Sequence, residues 1–138
     1  MKVLLDTNVV LDVLLERRPF VQEAERLFSA IEKGALNGYL CATTLTTVFY
    51  LAAKSRGART AQQLVEKLLR MHEVAAVNRP VLEDACTGKG SDFEDNVLVA
   101  AAIHSGCDAL VTRDPAGFKH ASLKVFSPAG LLQSLAKE

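Results

Sequence analysis

The chain has no tryptophan, and its aromatic side chains are limited to six phenylalanines and two tyrosines. Apolar residues still make up 49% of the 138 residues, so the core must consist mainly of Leu, Val, Ile and Ala. A chain of this length is suited to one compact domain with its own core. We therefore expect residues 1–138 to form a single domain.

Cysteine is also scarce. Cys41, Cys86 and Cys107 are odd in number and lack the paired spacing of a disulfide framework or a zinc site. The three histidines do not complete such a spacing either. The sequence therefore predicts free thiols in a reducing compartment and no zinc centre.

Long apolar runs are missing. The longest, residues 97–103, is far below the ~20 residues that a membrane span needs. Asp6 interrupts the apolar start of the chain, so no signal peptide is expected and we predict a cytoplasmic protein without a membrane partner. Sixteen basic and sixteen acidic residues cancel, so net charge neither proposes nor excludes a nucleic-acid partner.

Short apolar strands alternate with helical patterns along the chain. The predicted strands are residues 3–5, 38–41, 74–77, 109–111 and 123–126. Seven helices are predicted. The first follows Thr7 and Asn8, the second covers residues 20–33, and the third ends near residue 54. The remaining four cover residues 60–71, a short segment from 80, residues 92–105 and a segment from 128. This alternation predicts a three-layer α/β/α sandwich with a central parallel sheet of four to five strands.

Two aspartates close segments that begin with predicted strands. Asp6 ends the first strand segment and Asp114 ends the fourth. Ligands of such sheets gather beyond the carboxyl ends of the strands. Asp6 could instead cap the next helix, but Thr7 and Asn8 offer capping oxygens, so we favour metal ligation by Asp6. Asn8 either orients Asp6 or is itself the cap, and Asp114, which precedes Pro115, would alone be read as a turn residue.

Three acids cluster in four residues at the start of the sixth predicted helix. Ser91 and Glu94 have the spacing of a capping box, which makes Glu94 structural. Asp92 and Asp95 then project together from the first turns. They could merely complement the helix dipole, but one acid suffices for that, so a nearby cation is favoured. The preceding loop, residues 88–91, lacks the upstream glycine of a phosphate-binding loop and is excluded as one.

Asp6, Asp92, Asp95 and Asp114 would repel one another at a shared sheet edge unless a cation joined them. An all-oxygen ligand set suits Mg²⁺ or Mn²⁺. Two such ions roughly 3.5–4 Å apart can activate a water and stabilise the leaving oxygen of a phosphodiester. Thr112 is expected to hydrogen-bond one of the ligand carboxylates.

Four segments together resemble the PIN domain, the fold of the toxin half of bacterial VapBC toxin–antitoxin systems. They are residues 4–8 (LLDTN), 92–95 (DFED), 110–114 (LVTRD) and 126–128 (FSP), which occur in that order over the whole chain. The resemblance implies an Mg²⁺- or Mn²⁺-dependent endonuclease that cleaves RNA. It also implies a small antitoxin partner and a homodimer.

Carried over by position, the resemblance makes Asp6, Asp95 and Asp114 the catalytic acids and metal ligands, with Asp92 as an added ligand. Many PIN nucleases have a glutamate in the helix after the second strand, where this chain has Thr47. Thr47 would thus lie beside the metal ligands, and Asp92 could supply the missing charge.

Arg113 lies inside the third acidic motif and is the best candidate for a contact to a substrate phosphate. Two other functions compete with a nuclease. The missing glutamate would suit a non-catalytic PIN-like module that binds RNA or a partner. A receiver-type phosphoryl-transfer domain would need a second acid beside Asp6, which the segment LLDTN does not provide.

Overall fold

Five parallel strands form the central sheet of the computed structural model, which describes residues 1–137. The strands are β1 (Lys2–Leu5), β2 (Asn37–Cys41), β3 (Glu73–Ala75), β4 (Ala109–Val111) and β5 (Lys124–Phe126). They pair in the order β3-β2-β1-β4-β5, and every neighbouring pair is parallel. The predicted parallel sheet of four to five strands is confirmed, with all five present.

Seven α-helices connect and cover these strands. They are α1 (Thr7–Leu14), α2 (Val21–Glu32), α3 (Ala42–Arg56), α4 (Ala58–Met71), α5 (Arg79–Cys86), α6 (Phe93–His104) and α7 (Pro128–Ala136). A 3₁₀ turn, Pro115–Phe118, follows β4. The start of α7 is as predicted, because the Ser127 hydroxyl accepts a hydrogen bond of 3.0 Å from the backbone N–H of Gly130. None of the helices within residues 1–137 combines the length and apolarity required to cross a bilayer.

Alternating side chains of the buried strands divide the core into two layers. Val3 and Leu5 of β1 pack with apolar side chains from α1, α2, α3, α4 and α7, whereas Leu4 packs with those of α5 and α6. Leu110 of β4 lies on the same side as Leu4 and is fully buried. Each such leucine contributes roughly 1.5–3 kcal/mol of burial free energy. Helices on both faces complete the three-layer α/β/α sandwich.

The chain changes direction across the sheet between β1 and β4. After β1 it builds β2 and β3 on one side, and then crosses back to build β4 and β5 on the other. Leu5 is in register with Val111, and the N–H of Asp6 donates to the carbonyl of Val111 at 2.8 Å. Such a point of strand-order reversal is where open α/β sheets form a ligand crevice. The residues that follow β1 and β4 therefore lie side by side at that crevice.

Candidate active site

Asp6 is held rigidly at the end of β1. It is the N-cap of α1, with one carboxylate oxygen accepting from the N–H of Thr7 at 2.7 Å. The other oxygen accepts from the hydroxyl of Thr112 at 2.8 Å. Asp6 itself, rather than Thr7 or Asn8, therefore caps this helix, and of the two possibilities left open for Asn8 capping is excluded. Each carboxylate oxygen has further lone-pair capacity, so capping leaves Asp6 able to bind a cation.

One hydroxyl links the ends of β1 and β4. Thr112 is fully buried, and its Oγ1 donates to Asp6 while accepting from the N–H of Asp114 at 3.1 Å. The hydrogen bond expected from Thr112 to a carboxylate is thus present. Its role beside a metal ligand stays a prediction, and so do the ligand roles of the two acids.

We expect Thr112→Val, which keeps the shape and removes the hydroxyl, to weaken both the fold and cation binding. The Asp6 carboxylate loses a donor and the Asp114 N–H loses an acceptor, which should lower the free energy of unfolding by about 1–3 kcal/mol. Loss of such a supporting contact typically lowers metal affinity by roughly 10–100-fold. Urea unfolding and Mn²⁺ titration measure the two effects. Thr112→Ser, which retains the hydroxyl, is the control, and equal behaviour of the two variants would contradict the role given to the hydroxyl.

The start of α6 differs from the predicted capping box. Asp92, rather than Ser91, is the N-cap, and its carboxylate accepts from the N–H of Asp95 at 3.0 Å. Ser91 lies one residue outside the helix, so its spacing to Glu94 has no capping role. Aspartate caps a helix as well as serine does, and the backbone of Asp92 is extended as an N-cap requires. Asp92 is exposed and Asp95 half-buried, and the metal-binding role predicted for Asp92 stays a prediction.

Asp95 experiences the charges of the other acids. Burial, followed by the negative charges of its neighbours, raises the pKa of Asp95 to about 6. In decreasing order of effect these neighbours are Asp92, Asp6, Glu94 and Asp114. Carboxylates from the ends of β1 and β4 and from the start of α6 are therefore within electrostatic range of one another.

The carboxylate of Asp6 is also affected by this environment. Burial raises its pKa, and the negative charge of Asp114 adds to the increase. The hydrogen bonds from Thr112 and Thr7 oppose it, as does the positive charge of Arg113. A bound cation would favour the charged forms of these carboxylates, because an opposite charge stabilises an ionised acid.

The donor set is compatible with Mg²⁺ or Mn²⁺. Within residues 1–137, no three His, Cys, Asp or Glu side chains are grouped closely enough to ligate one ion by themselves. Mg²⁺ usually keeps several waters and takes only one or two carboxylates from the protein, so three direct ligands are not required. The amide oxygen of Asn8 is buried and accepts no hydrogen bond, which adds an unused oxygen two residues from Asp6.

An ion pair joins α1 to the segment between β4 and the 3₁₀ turn. Asp12 of α1 is 1% exposed, and its Oδ2 lies 2.7 Å from Nε of Arg113. This distance is that of an ion pair, but the N–H is not aligned for a hydrogen bond. The Arg113 guanidinium also lies 4.0 Å above the ring of Phe20. Burial raises the pKa of Asp12, and the charge of Arg113 opposes the increase.

The sequence did not reveal Asp12 as part of the site. Its one signal is an acid within the otherwise apolar run of α1, where a charged side chain needs a partner if it is buried. Arg113 is that partner and is still 28% exposed. Its predicted contact to a substrate phosphate stays a prediction.

Two threonines of α3 differ in their position. Thr44 is buried, and its hydroxyl is 2.8 Å from that of Thr7, next to Asp6. Thr47, predicted to lie beside the metal ligands, is exposed on the same helix. Thr44 is therefore a contact to the site that the sequence did not single out, and the role of Thr47 stays a prediction.

Comparison with known proteins assigns the family. A family model described as the PIN domain matches residues 2–116, which include all four acids of the site. The chain belongs to the PIN domain family. No curated protein matches the chain significantly.

Solved structures share this PIN fold. FitAcB from Neisseria gonorrhoeae is 23% identical with a TM-score of 0.70, and the match covers 92% of this chain and 98% of that one. VapBC2 from Rickettsia felis, bound to a promoter DNA fragment, is 17% identical with a TM-score of 0.66 over 92% and 98% of the chains. Mycobacterium tuberculosis VapC20, a toxin that cleaves the Sarcin-Ricin loop, is 14% identical with a TM-score of 0.67 over 88% and 98%.

Proposed function

We propose that this PIN domain is a divalent-metal-dependent endoribonuclease, the toxin of a VapBC-type toxin–antitoxin pair. The observation that supports this most is electrostatic: the negative charges of Asp6 and Asp114 raise the pKa of Asp95, and that of Asp114 raises the pKa of Asp6. Carboxylates whose pKa is raised by neighbouring acids form a site at which a cation is favoured. The likeness to VapC20, a toxin that cleaves the Sarcin-Ricin loop, supports the same function.

The side chains of the site have separate tasks in this proposal. Bound Mg²⁺ or Mn²⁺ would activate a water and stabilise the leaving oxygen of an RNA phosphodiester, as in two-metal sites. Asp6, fixed by Thr112 and the N–H of Thr7, presents its carboxylate in one orientation. Asp95 and Asp114 offer charge from two other elements of the fold. Arg113, which Asp12 and Phe20 hold in place, offers a positive charge to a substrate phosphate.

Cleavage of RNA by the purified protein tests this function. We expect cleavage of a single-stranded RNA with Mg²⁺ or Mn²⁺, none with EDTA, and none by Asp6→Asn. Asp108→Asn is the matched control. Asp108 precedes β4, at the amino ends of the strands and therefore away from the site, and its carboxylate accepts a hydrogen bond from the N–H of Lys2 that Asn can retain. Equal cleavage by wild type and Asp6→Asn, or cleavage that continues in EDTA, would contradict the proposal.

An antitoxin and a second copy of the chain are the proposed protein partners. The α3–α4 hairpin carries exposed apolar side chains, among them Phe49, Tyr50 and Leu69. Exposed apolar side chains on neighbouring helices favour this hairpin as the surface that binds another protein. FitAcB and VapBC2 support a toxin–antitoxin assembly for a chain of this fold.

A non-catalytic RNA- or partner-binding module is the second candidate. It is favoured by Thr47, which is exposed and uncharged where many PIN nucleases have a glutamate. The cleavage experiment separates the two functions, because such a module would bind RNA without cleaving it at any Mn²⁺ concentration.

A further inference from the structure

A cleft leads away from the acidic site along α6. It has a volume of about 370 Å³ and is bounded by α6 on one side and by the 3₁₀ turn and the residues after it on the other. Asp95 and Gly117 line it, and so do His104 and His120. We propose that this cleft binds one nucleotide of the RNA strand, next to the nucleotide whose phosphate is cleaved. This inference rests on the proposed ribonuclease function.

The cleft is pre-formed by glycines that pack closely on Asn96, the residue after Asp95. A Cβ atom on Gly88 would lie 2.7 Å from Asn96 Cγ, and one on Gly90 would lie 2.6 Å from Asn96 Oδ1. The Asn96 amide donates to the carbonyl of Gly90 at 3.0 Å. These contacts attach the loop that carries Lys89 to the first turn of α6. A larger residue at either glycine would collide with the side chain of Asn96 and disturb this attachment.

The other side of the cleft is equally close to the acids. A Cβ atom on Gly117 would lie 3.0 Å from Oδ2 of Asp114. Asp95 thus lines one wall itself, and Gly117 of the other wall packs close to the carboxylate of Asp114. An RNA strand whose phosphate reaches these acids would place its neighbouring nucleotide in the cleft.

The side chains that line the cleft match the two parts of a nucleotide. Val99 and Ile103 of α6 form an apolar surface on which a base can lie, and Ile103 is exposed there. Lys89 and His120, both exposed, provide donors for a phosphate or a base edge. Unstacked bases of single-stranded RNA are recognised in this way, by an apolar face and by hydrogen bonds to their edges.

His104 adds a polar group with a fixed partner. Its Nε2 contacts the carboxylate of Asp84, which also lines the cleft. One ring nitrogen is thus engaged by Asp84, and the second ring nitrogen remains for another contact. The volume of the cleft is at the lower end of the roughly 300–1,000 Å³ of small-ligand sites, which suits one nucleotide rather than a duplex.

Binding of RNA in the absence of metal tests this inference. The probe is a short, fluorescently labelled single-stranded RNA, and its affinity for the full-length protein is measured by anisotropy in EDTA, where no cleavage is expected, at several salt concentrations. We expect the double variant Lys89→Ala/His120→Ala to bind about tenfold more weakly than wild type. Loss of the lysine contact should also reduce the slope of log affinity against log salt by about 0.7. Lys119→Ala is the control, because Lys119 is an exposed lysine that does not line the cleft.

The outcome is separable from that of the cleavage experiment. If the double variant and Lys119→Ala bind the probe as wild type does, or if wild type does not bind it, the cleft proposal is overturned. If wild type never cleaves RNA but only the double variant loses affinity, the nuclease proposal fails and the nucleotide site stands. If wild type cleaves RNA and all variants bind the probe as wild type does, the nuclease proposal stands and the nucleotide site is overturned.

Discussion

Replacing Asp95 by Asn is expected to slow RNA cleavage strongly and, at the same time, to stabilise the protein in the absence of metal. The carboxylate of Asp95 is raised in pKa by burial and by the negative charges of other acids, so its ionised form is unfavourable in the metal-free fold. The neutral amide removes that repulsion. It also removes one charged metal ligand, and metal contacts of this kind contribute several kcal/mol to the transition state. At about 1.4 kcal/mol per tenfold in rate, we expect cleavage to fall by at least ~100-fold.

The pH dependence of stability distinguishes this effect from simple damage. The pKa of Asp95 is about 6 in the folded protein, against an ordinary value of 3.8. Between these values the folded state binds more protons than the unfolded state, so the free energy of unfolding falls as the pH rises through this window. Below the window both states are protonated, and above it the destabilisation is complete. Asp6, whose pKa is also raised, acts in the same direction.

Thermal unfolding in EDTA across about pH 4 to 7 measures this dependence. The midpoint of Asp95→Asn should exceed that of wild type by an amount that grows as the pH rises toward 6, because only wild type has the carboxylate that loses its proton in this range. The midpoint of Asp108→Asn, whose substitution lies at the amino ends of the strands, should change with pH as that of wild type does. A lower midpoint for Asp95→Asn, or a profile parallel to that of wild type, would show that Asp95 is not destabilised by neighbouring acids.

Replacing Arg113 by Met should lower the free energy of unfolding by about 3 kcal/mol at neutral pH. The change retains an unbranched side chain over Phe20 but leaves the carboxylate of Asp12, which is 1% exposed, without its partner. Removing one member of a buried pair typically costs about 3–5 kcal/mol, because the other charge remains buried. The lower end applies here, since Arg113 itself is 28% exposed.

A double substitution isolates the pair. Asp12→Asn/Arg113→Met should recover most of the loss, because no buried charge is left without a partner. Acidification should reduce the loss in Arg113→Met as well, since the lone carboxylate then takes up a proton. Urea unfolding of the four proteins gives the coupling free energy. If the two substitutions were simply additive, the ion pair would not be what fixes Arg113 beside the site.

The positions of the main acids could be predicted because they depend on simple features of a parallel sheet. Asp6 and Asp114 end short apolar runs, and parallel strands bring their carboxyl ends to one edge. The exact register of β1 and β4, in which Leu5 pairs with Val111, was not needed for that prediction. Any strand order that places β1 next to β4 brings Asp6 and Asp114 close together. This is why the outline of the site followed from the sequence.

Other features depend on packing that a sequence does not display. Ser91 and Asp92 are both good helix caps, and the choice between them depends on small local energies. Thr44 and Thr47 are separated by less than one helical turn, so the rotation of α3 against the sheet decides which one is buried. Arg113, the partner of Asp12, is remote from it in sequence, in the segment after β4, and only folding brings the two side chains together.

Anomalous diffraction from crystals soaked in Mn²⁺ tests the central claim most directly. The account predicts a manganese peak at the carboxyl edge of β1 and β4, bound by oxygens of Asp6 and Asp95, and its loss in Asp95→Asn crystals. A peak elsewhere, or none at this edge at saturating Mn²⁺, would contradict the claim that these acids form a divalent-cation site.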